Sequence, residues 1–177
     1  MIASETDLRK VRPIAENLND AKRLLPYILE AEMLDVIDSI GAKIYKAIDE
    51  NTVNTLTYTT GTTTVTYDAS EYSILMNGGY YDEEEKRCGG LINAIIYLAY
   101  GRFVKNNSLN VTAFGVVVKN GQLSEPADTK AVMIHSEESR KIGLEYLRQV
   151  YDYIVFKNGK VCGTKQTNGL RFKAIGD

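Results

Sequence analysis

The sequence predicts a mainly α chain with β-hairpin insertions: a small helical bundle carrying extended arms. Three observations predict it. Apolar residues recur every three to four positions in three separate stretches. Between the first two lies Asn51 to Tyr67, with nine threonines alternating with Leu56, Tyr58, Val65 and Tyr67. Between the last two lies the valine-rich segment Val111 to Lys119. The chain has 177 residues, enough for one ordinary domain that buries a sizeable core without staples. The reading is one domain over 1–177, with a Thr-rich β-hairpin insertion at 51–76, an extended β arm at 107–127 and a tail at 158–177.

Element by element, residues 1–18 read as an extended polar lead without the apolar core of a signal peptide. Asp20 is placed to cap a first turn, and Pro26 fits the first turn of a longer helix, where its missing N–H costs nothing. Tyr27, Ile28, Ala31, Leu34, Ile37 and Ile40 form one stripe. Gly41 interrupts it, and Ile44, Tyr45 and Ile48 resume it. Helices are expected at 20–39 and 41–50.

Threonine and tyrosine favour strands. With Thr60-Gly61 as a two-residue turn, Leu56 faces Val65, Tyr58 faces Thr63, and the four apolar residues share one face. A hairpin is expected at about 55–67, its threonine face in water. An isolated hairpin is marginal, so this one must rest on the helices or on another chain.

Asn77-Gly78-Gly79 reads as a flexible connection. Asp82, with Glu85 three residues on, reads as the capping box of a central helix reaching Asn106. Its apolar set, Leu91, Ile92, Ile95, Ile96, Leu98, Ala99 and Phe103, covers most of the circumference and predicts the most buried helix. Gly89-Gly90 inside it implies close packing or a kink. Val111 to Lys119 reads as a strand pair or extended arm, followed by an Asn120-Gly121 turn and an extended approach to Pro126. A long helix is expected from Asp128 to Phe156, with Leu144, Leu147, Tyr151 and Ile154 as its stripe, ended by Lys157-Asn158-Gly159. Short strands are expected at Val161-Cys162 and Leu170 to Phe172.

Composition excludes several functions. Lys plus Arg is 21 and Asp plus Glu is 23, a net charge of -2, which disfavours a broad clamp on phosphates. No apolar run is long enough to span a membrane. One histidine and two cysteines cannot build a zinc cluster or a disulfide scaffold. Cys88 and Cys162 read as two reduced thiols of a cytosolic protein, with a single disulfide as the alternative.

No catalytic, metal-ligating or cofactor-binding residue is assigned. His135 sits among Ser136, Glu137, Glu138 and Ser139, the pattern of a hydrated helix surface. A Cys88–His135 pair is formally available, with Lys86 and Arg87 to lower the thiol pKa, but a helix-packing thiol explains Cys88 more simply. Asp82-Glu83-Glu84-Glu85 reads as a solvated helix start rather than a cation site. Neither a phosphate loop nor a nucleophile elbow is present. The chain reads as a non-enzyme without cofactors.

The two β insertions carry the functional reading. A helical core cannot easily cover both hairpins, and open strand edges invite a partner. Leu56, Tyr58, Val65, Tyr67, Phe114 and Val116 are the expected oligomer or partner interface.

Arg12-Pro-Ile-Ala-Glu-Asn-Leu-Asn19 and Leu25-Pro-Tyr-Ile-Leu-Glu-Ala-Glu32 resemble the opening of a family from Bacteroidetes tailed phages and prophages. Ile96-Tyr-Leu-Ala-Tyr-Gly-Arg-Phe103 and Val111 to Lys119 resemble its middle, so the likeness covers about 8–157. Those proteins are head–tail connector, or neck-ring adaptor, components, including those of crAss-like phages. The resemblance implies a virion structural protein, assembled in the host cytoplasm and residing in the neck. It implies a ring of this chain, of twelve copies, between the portal protein and other neck or tail proteins, with DNA as a non-specific passenger and no membrane. A heterologous contact that closes by rotation gives such a ring. Two alternatives compete: a monomeric helical protein-binding module, and a hydrolase using carboxylates in a cleft beside the hairpin.

Overall fold

The computed structural model describes residues 1–11, 23–82, 86–107, 109–112, 115–118 and 129–162, with backbone alone at 107, 109–112, 115–118, 129 and 160–162. It is mainly α with small β-hairpins, as expected. Six helices and three two-stranded antiparallel sheets occur among the described residues.

The opening is not an extended lead. Helix α1, Glu5–Val11, begins at a capping box in which Ser4 and Asp7 satisfy each other's backbone N–H groups, at 3.1 and 3.2 Å. Its Leu8 is fully buried and it packs on the central helix.

Helix α2 is α-helical over Leu25–Ala31, π-helical over Glu32–Val36 and α-helical again over Ile37–Ile40, with Pro26 in its first turn as expected. The wider π turn takes in an extra residue and shifts the buried face. Val36 is buried, and Leu34, expected in the stripe, is 62% exposed. Gly41, at φ +87, separates α2 from α3, Ala42–Asp49. Asp20 lies outside the described residues.

The hairpin forms from β1, Leu56–Thr60, and β2, Thr63–Tyr67. Its turn is Gly61-Thr62 rather than Thr60-Gly61. Gly61 has φ +64 and Thr62 does not turn positive, the type II′ signature. The register is therefore Leu56↔Tyr67 and Tyr58↔Val65, a slip of two residues from the expected pairing. A slip of two preserves the faces, so the four apolar residues still share one side. Opposite them, Thr57 pairs with Thr66 and Thr59 with Thr64 through hydroxyls at 3.3 Å, in water.

Helix α4, Ala69–Asn77, was not expected. It starts at a capping box of Asp68 and Glu71 and ends at Gly78, φ +92. Asp82 does not begin a helix. It has φ +74 between β3, Gly79–Tyr81, and β4, Lys86–Cys88. The central helix α5, Leu91–Asn107, starts only after Gly89-Gly90. Those glycines mark close packing, as expected, but before the helix. A Cβ on Gly89 would lie 2.2 Å from the Tyr146 ring, and one on Gly90 2.5 Å from the backbone of Asn77. Leu91, Ala94, Ile95, Ile96, Leu98 and Ala99 are buried, so α5 is the centre of the core.

Backbone pairing joins β5, Leu109–Thr112, to β6, Gly115–Val118, the strand pair expected here. Asn120-Gly121 and Pro126 lie outside the described residues. Helix α6, Thr129–Cys162, runs past Lys157-Asn158-Gly159 and includes Val161 and Cys162, which were expected in a strand. Leu170 to Phe172 lie outside the described residues. The face of α6 against α5 is rotated from the expected stripe. Ser136, Ser139, Gly143, Leu147, Val150 and Ile154 are buried, while Leu144 and Tyr151 are half-buried. Small residues let the helices touch: Ser136 Oγ donates to the Gly101 carbonyl at 2.8 Å, and a Cβ on Gly143 would stand 2.9 Å from Leu98 N.

Candidate functional site

The expected interface residues of the first hairpin are core residues. Leu56, Tyr58, Val65 and Tyr67 are 2%, 6%, 1% and 0% exposed. β1 packs on α3, and β2 on α4 and α6. The chain's own helices cover this face, so it is not held open for a neighbour. A helical core was expected not to cover both hairpins easily; it covers this one, helped by α6, which runs on past Phe156. Its last turns supply the cover.

What those turns build is an aromatic cluster. Tyr67 meets Tyr153 edge-on at 6.0 Å, and Tyr81 lies 4.7 Å from Tyr153 and 5.0 Å from Phe156. Tyr58 Oη donates to Asn158 Oδ1 at 3.0 Å. Tyr153 Oη donates to the Glu71 carbonyl at 3.2 Å, and the Lys157 ammonium pairs with Glu71 while lying 5.4 Å over the Tyr67 ring. Burial raises the pKa of Tyr67, Tyr153 and Tyr58 above the ordinary phenol value, so all three stay protonated at neutral pH.

Cys88 is a free thiol on β4, buried rather than beside its cationic neighbours. Burial pushes its pKa up to about 11. That is opposite to the lowering a nucleophile needs. Ser136 and Ser139, read as hydrated, are buried, whereas His135 is exposed and its Nε2 lies 3.4 Å from Tyr100 Oη. Among the described residues no group of three or more His, Cys, Asp or Glu is placed to hold a metal ion. No helix among them is long and apolar enough to cross a membrane.

Phe114 lies outside the described residues. Val116 is in β6 opposite Val111. The register Leu109↔Val118, Asn110↔Val117, Val111↔Val116, Thr112↔Gly115 places Leu109, Val111, Val116 and Val118 on one face of this hairpin. The opposite face carries Asn110, Thr112, Gly115 and Val117.

Sequence reasoning missed Glu32. It is fully buried at the start of the π turn. Its Oε1 accepts from the backbone N–H groups of Ile2 and Ala3, at 2.8 and 3.0 Å, and its Oε2 accepts from Tyr45 Oη at 2.8 Å. On the same helix Asp35 pairs with Arg102 of α5, whose Nε is 3.8 Å from Glu30. The signal available in the sequence was a glutamate four residues after Ile28, inside an apolar stripe.

A cavity of about 320 Å³ opens beside Arg102, between α5 and α6, lined also by Leu98, Gly101, Met133 and Arg140.

Residues 42–158 match a family model described as a family of unknown function, DUF6712. The chain belongs to this family. The match begins at α3 and takes in both hairpins that flank α4, the central helix, the β5–β6 hairpin and most of α6. It leaves out α1, α2 and the Glu32 contacts with residues 2 and 3. No curated protein and no solved structure matches the chain.

Proposed function

We propose that this DUF6712 chain is a virion structural protein: a head–tail connector subunit that forms a ring in the phage neck. The portal protein is its partner on one side, other neck or tail proteins lie on the other, and DNA passes through the lumen. The resemblance of 12–32 and 96–119 to neck-ring adaptors supports this reading. So does a net charge of -2, since a lumen that clamps phosphates retains its passenger in a salt-dependent way.

One observation carries the reading furthest. The β5–β6 hairpin, inserted between the two longest helices, has Leu109, Val111, Val116 and Val118 in register on a single face. An apolar face on a two-stranded insertion gains stability by packing on further structure. In this reading the neighbouring subunit or the portal supplies it. The burial of the first hairpin leaves β5–β6 as the reaching limb.

The test is Val116→Asp, alongside Phe114→Ala, in the full chain mixed with its portal and viewed by negative-stain electron microscopy. Rings on the portal for the native chain, with none for Val116→Asp at an unchanged melting temperature, support the proposal. Equal ring formation by both, or a large fall in the melting temperature of Val116→Asp, assigns this face to the subunit's own core and overturns it.

A further inference from the structure

The Glu32 carboxylate reads backbone. Two consecutive main-chain N–H groups, of Ile2 and Ala3, converge on its Oε1 at 2.8 and 3.0 Å. The contact demands an adjacent pair of N–H donors, whatever side chains accompany them. The next requirements are steric: Ala3 is 1% exposed and Leu8, five residues on, is 0% exposed. The segment thus docks through a donor pair, a small residue and a leucine, with the turn between them shaped by Ser4 and Asp7.

With the segment away, Glu32 keeps Tyr45 Oη and loses two of its three donors. A buried carboxylate short of donors is costly, so the socket requires an occupant. An apolar residue at this core position would need no such partner. A glutamate there therefore specifies what docks, and the π turn that begins with it is a form often retained at functional positions.

We infer that the Glu32 socket is a peptide-binding site for residues 1–11, and that this segment exchanges between copies, each copy's segment seating in its neighbour's socket. The second copy rests on the neck-ring reading above. Exchange repeats a contact already made within the chain, so it needs no new recognition chemistry. The connection 12–22 has eleven residues, and a chain of that length spans at most about 40 Å, roughly the width of four packed helices.

The probe is a fluorescent peptide of residues 1–11, added in large excess to the full chain and followed by anisotropy and native mass spectrometry. One peptide is expected per chain. A peptide N-methylated at Ile2 and Ala3 lacks the two donors and should bind about tenfold or more weaker, without any change to the protein. Glu32→Ala weakens the chain's own segment as much as the free peptide, so it should raise amide exchange in residues 1–11 about tenfold or more, and Tyr45→Phe, which spares both N–H contacts, should raise it much less. Absence of uptake by the native chain over a day, or equal uptake of the methylated peptide, overturns the inference. Rings on the portal without peptide uptake would sink exchange alone and leave the neck-ring reading standing. Uptake without rings would leave the socket but overturn exchange within an assembly.

Discussion

Gly90 and Gly61 both hold positive φ, at +85 and +64, yet their surroundings differ. A Cβ on Gly61 meets nothing within 4 Å, whereas one on Gly90 runs into the backbone of Asn77 and Gly78 at 2.5 Å. Gly61→Ala should cost about 1 kcal/mol, the ordinary left-handed penalty. Gly90→Ala adds an overlap with backbone that cannot move aside and should cost about 3 kcal/mol or more. Urea denaturation of the two variants measures the contrast. The raised tyrosines and Cys88 set the alkaline limit of the fold. Each has a folded pKa above its unfolded value, so its contribution is complete below the unfolded pKa and fades as pH rises. For Cys88 that window runs from 9.0 to about 11, worth up to about 3 kcal/mol. Tyr67 and Tyr153 extend it beyond pH 10. The melting temperature should be flat up to about pH 9 and fall above it, with phenolate absorbance appearing together with unfolding.

At the scale of elements, the first hairpin behaves as a core layer. Val65→Asp should abolish cooperative unfolding, because it places a carboxylate in the core at a position 1% exposed. Thr59→Val, on the opposite, watered face, should change stability by about 0.5 kcal/mol or less. Capping gives a sharper test at α1. Ser4→Ala removes one side of its capping box and should cost about 1 kcal/mol, read by hydrogen exchange in residues 5–11. Periodicity made the main helices legible: the stripe around Ile95 marked the central helix, and alternation over 56–67 marked the hairpin and its buried face. It failed where one residue changes the count. The π turn at Glu32 exposed Leu34, and the Gly61-Thr62 turn moved the register by two. Two short helices were signalled by Ser4-x-x-Asp7 and Asp68-x-x-Glu71, too brief for a stripe. In a third such pattern, Asp82 with Glu85, Asp82 follows β3 at φ +74 and starts no helix. Gly159 did not stop α6, because tertiary packing of Tyr153, Ile154 and Lys157 outweighs one weak helix former. The Glu32 socket left only one trace, a glutamate inside an apolar stripe, because its partners include backbone groups thirty residues away, which no side-chain pattern records.

For the whole molecule, the first hairpin is buried against the chain's own helices, and the β5–β6 hairpin is inserted between α5 and α6 in the chain. The family match covers both and does not extend to the opening segment or α2. In the neck-ring proposal that body is a ring subunit whose β5–β6 face meets its neighbour. Mass photometry of the full chain titrated into its portal tests this most directly. The expected result is one discrete complex holding a fixed number of chains per portal ring, saturating at that ratio and lost with Val116→Asp. A chain that stays monomeric beside an unaltered portal at every ratio would contradict it.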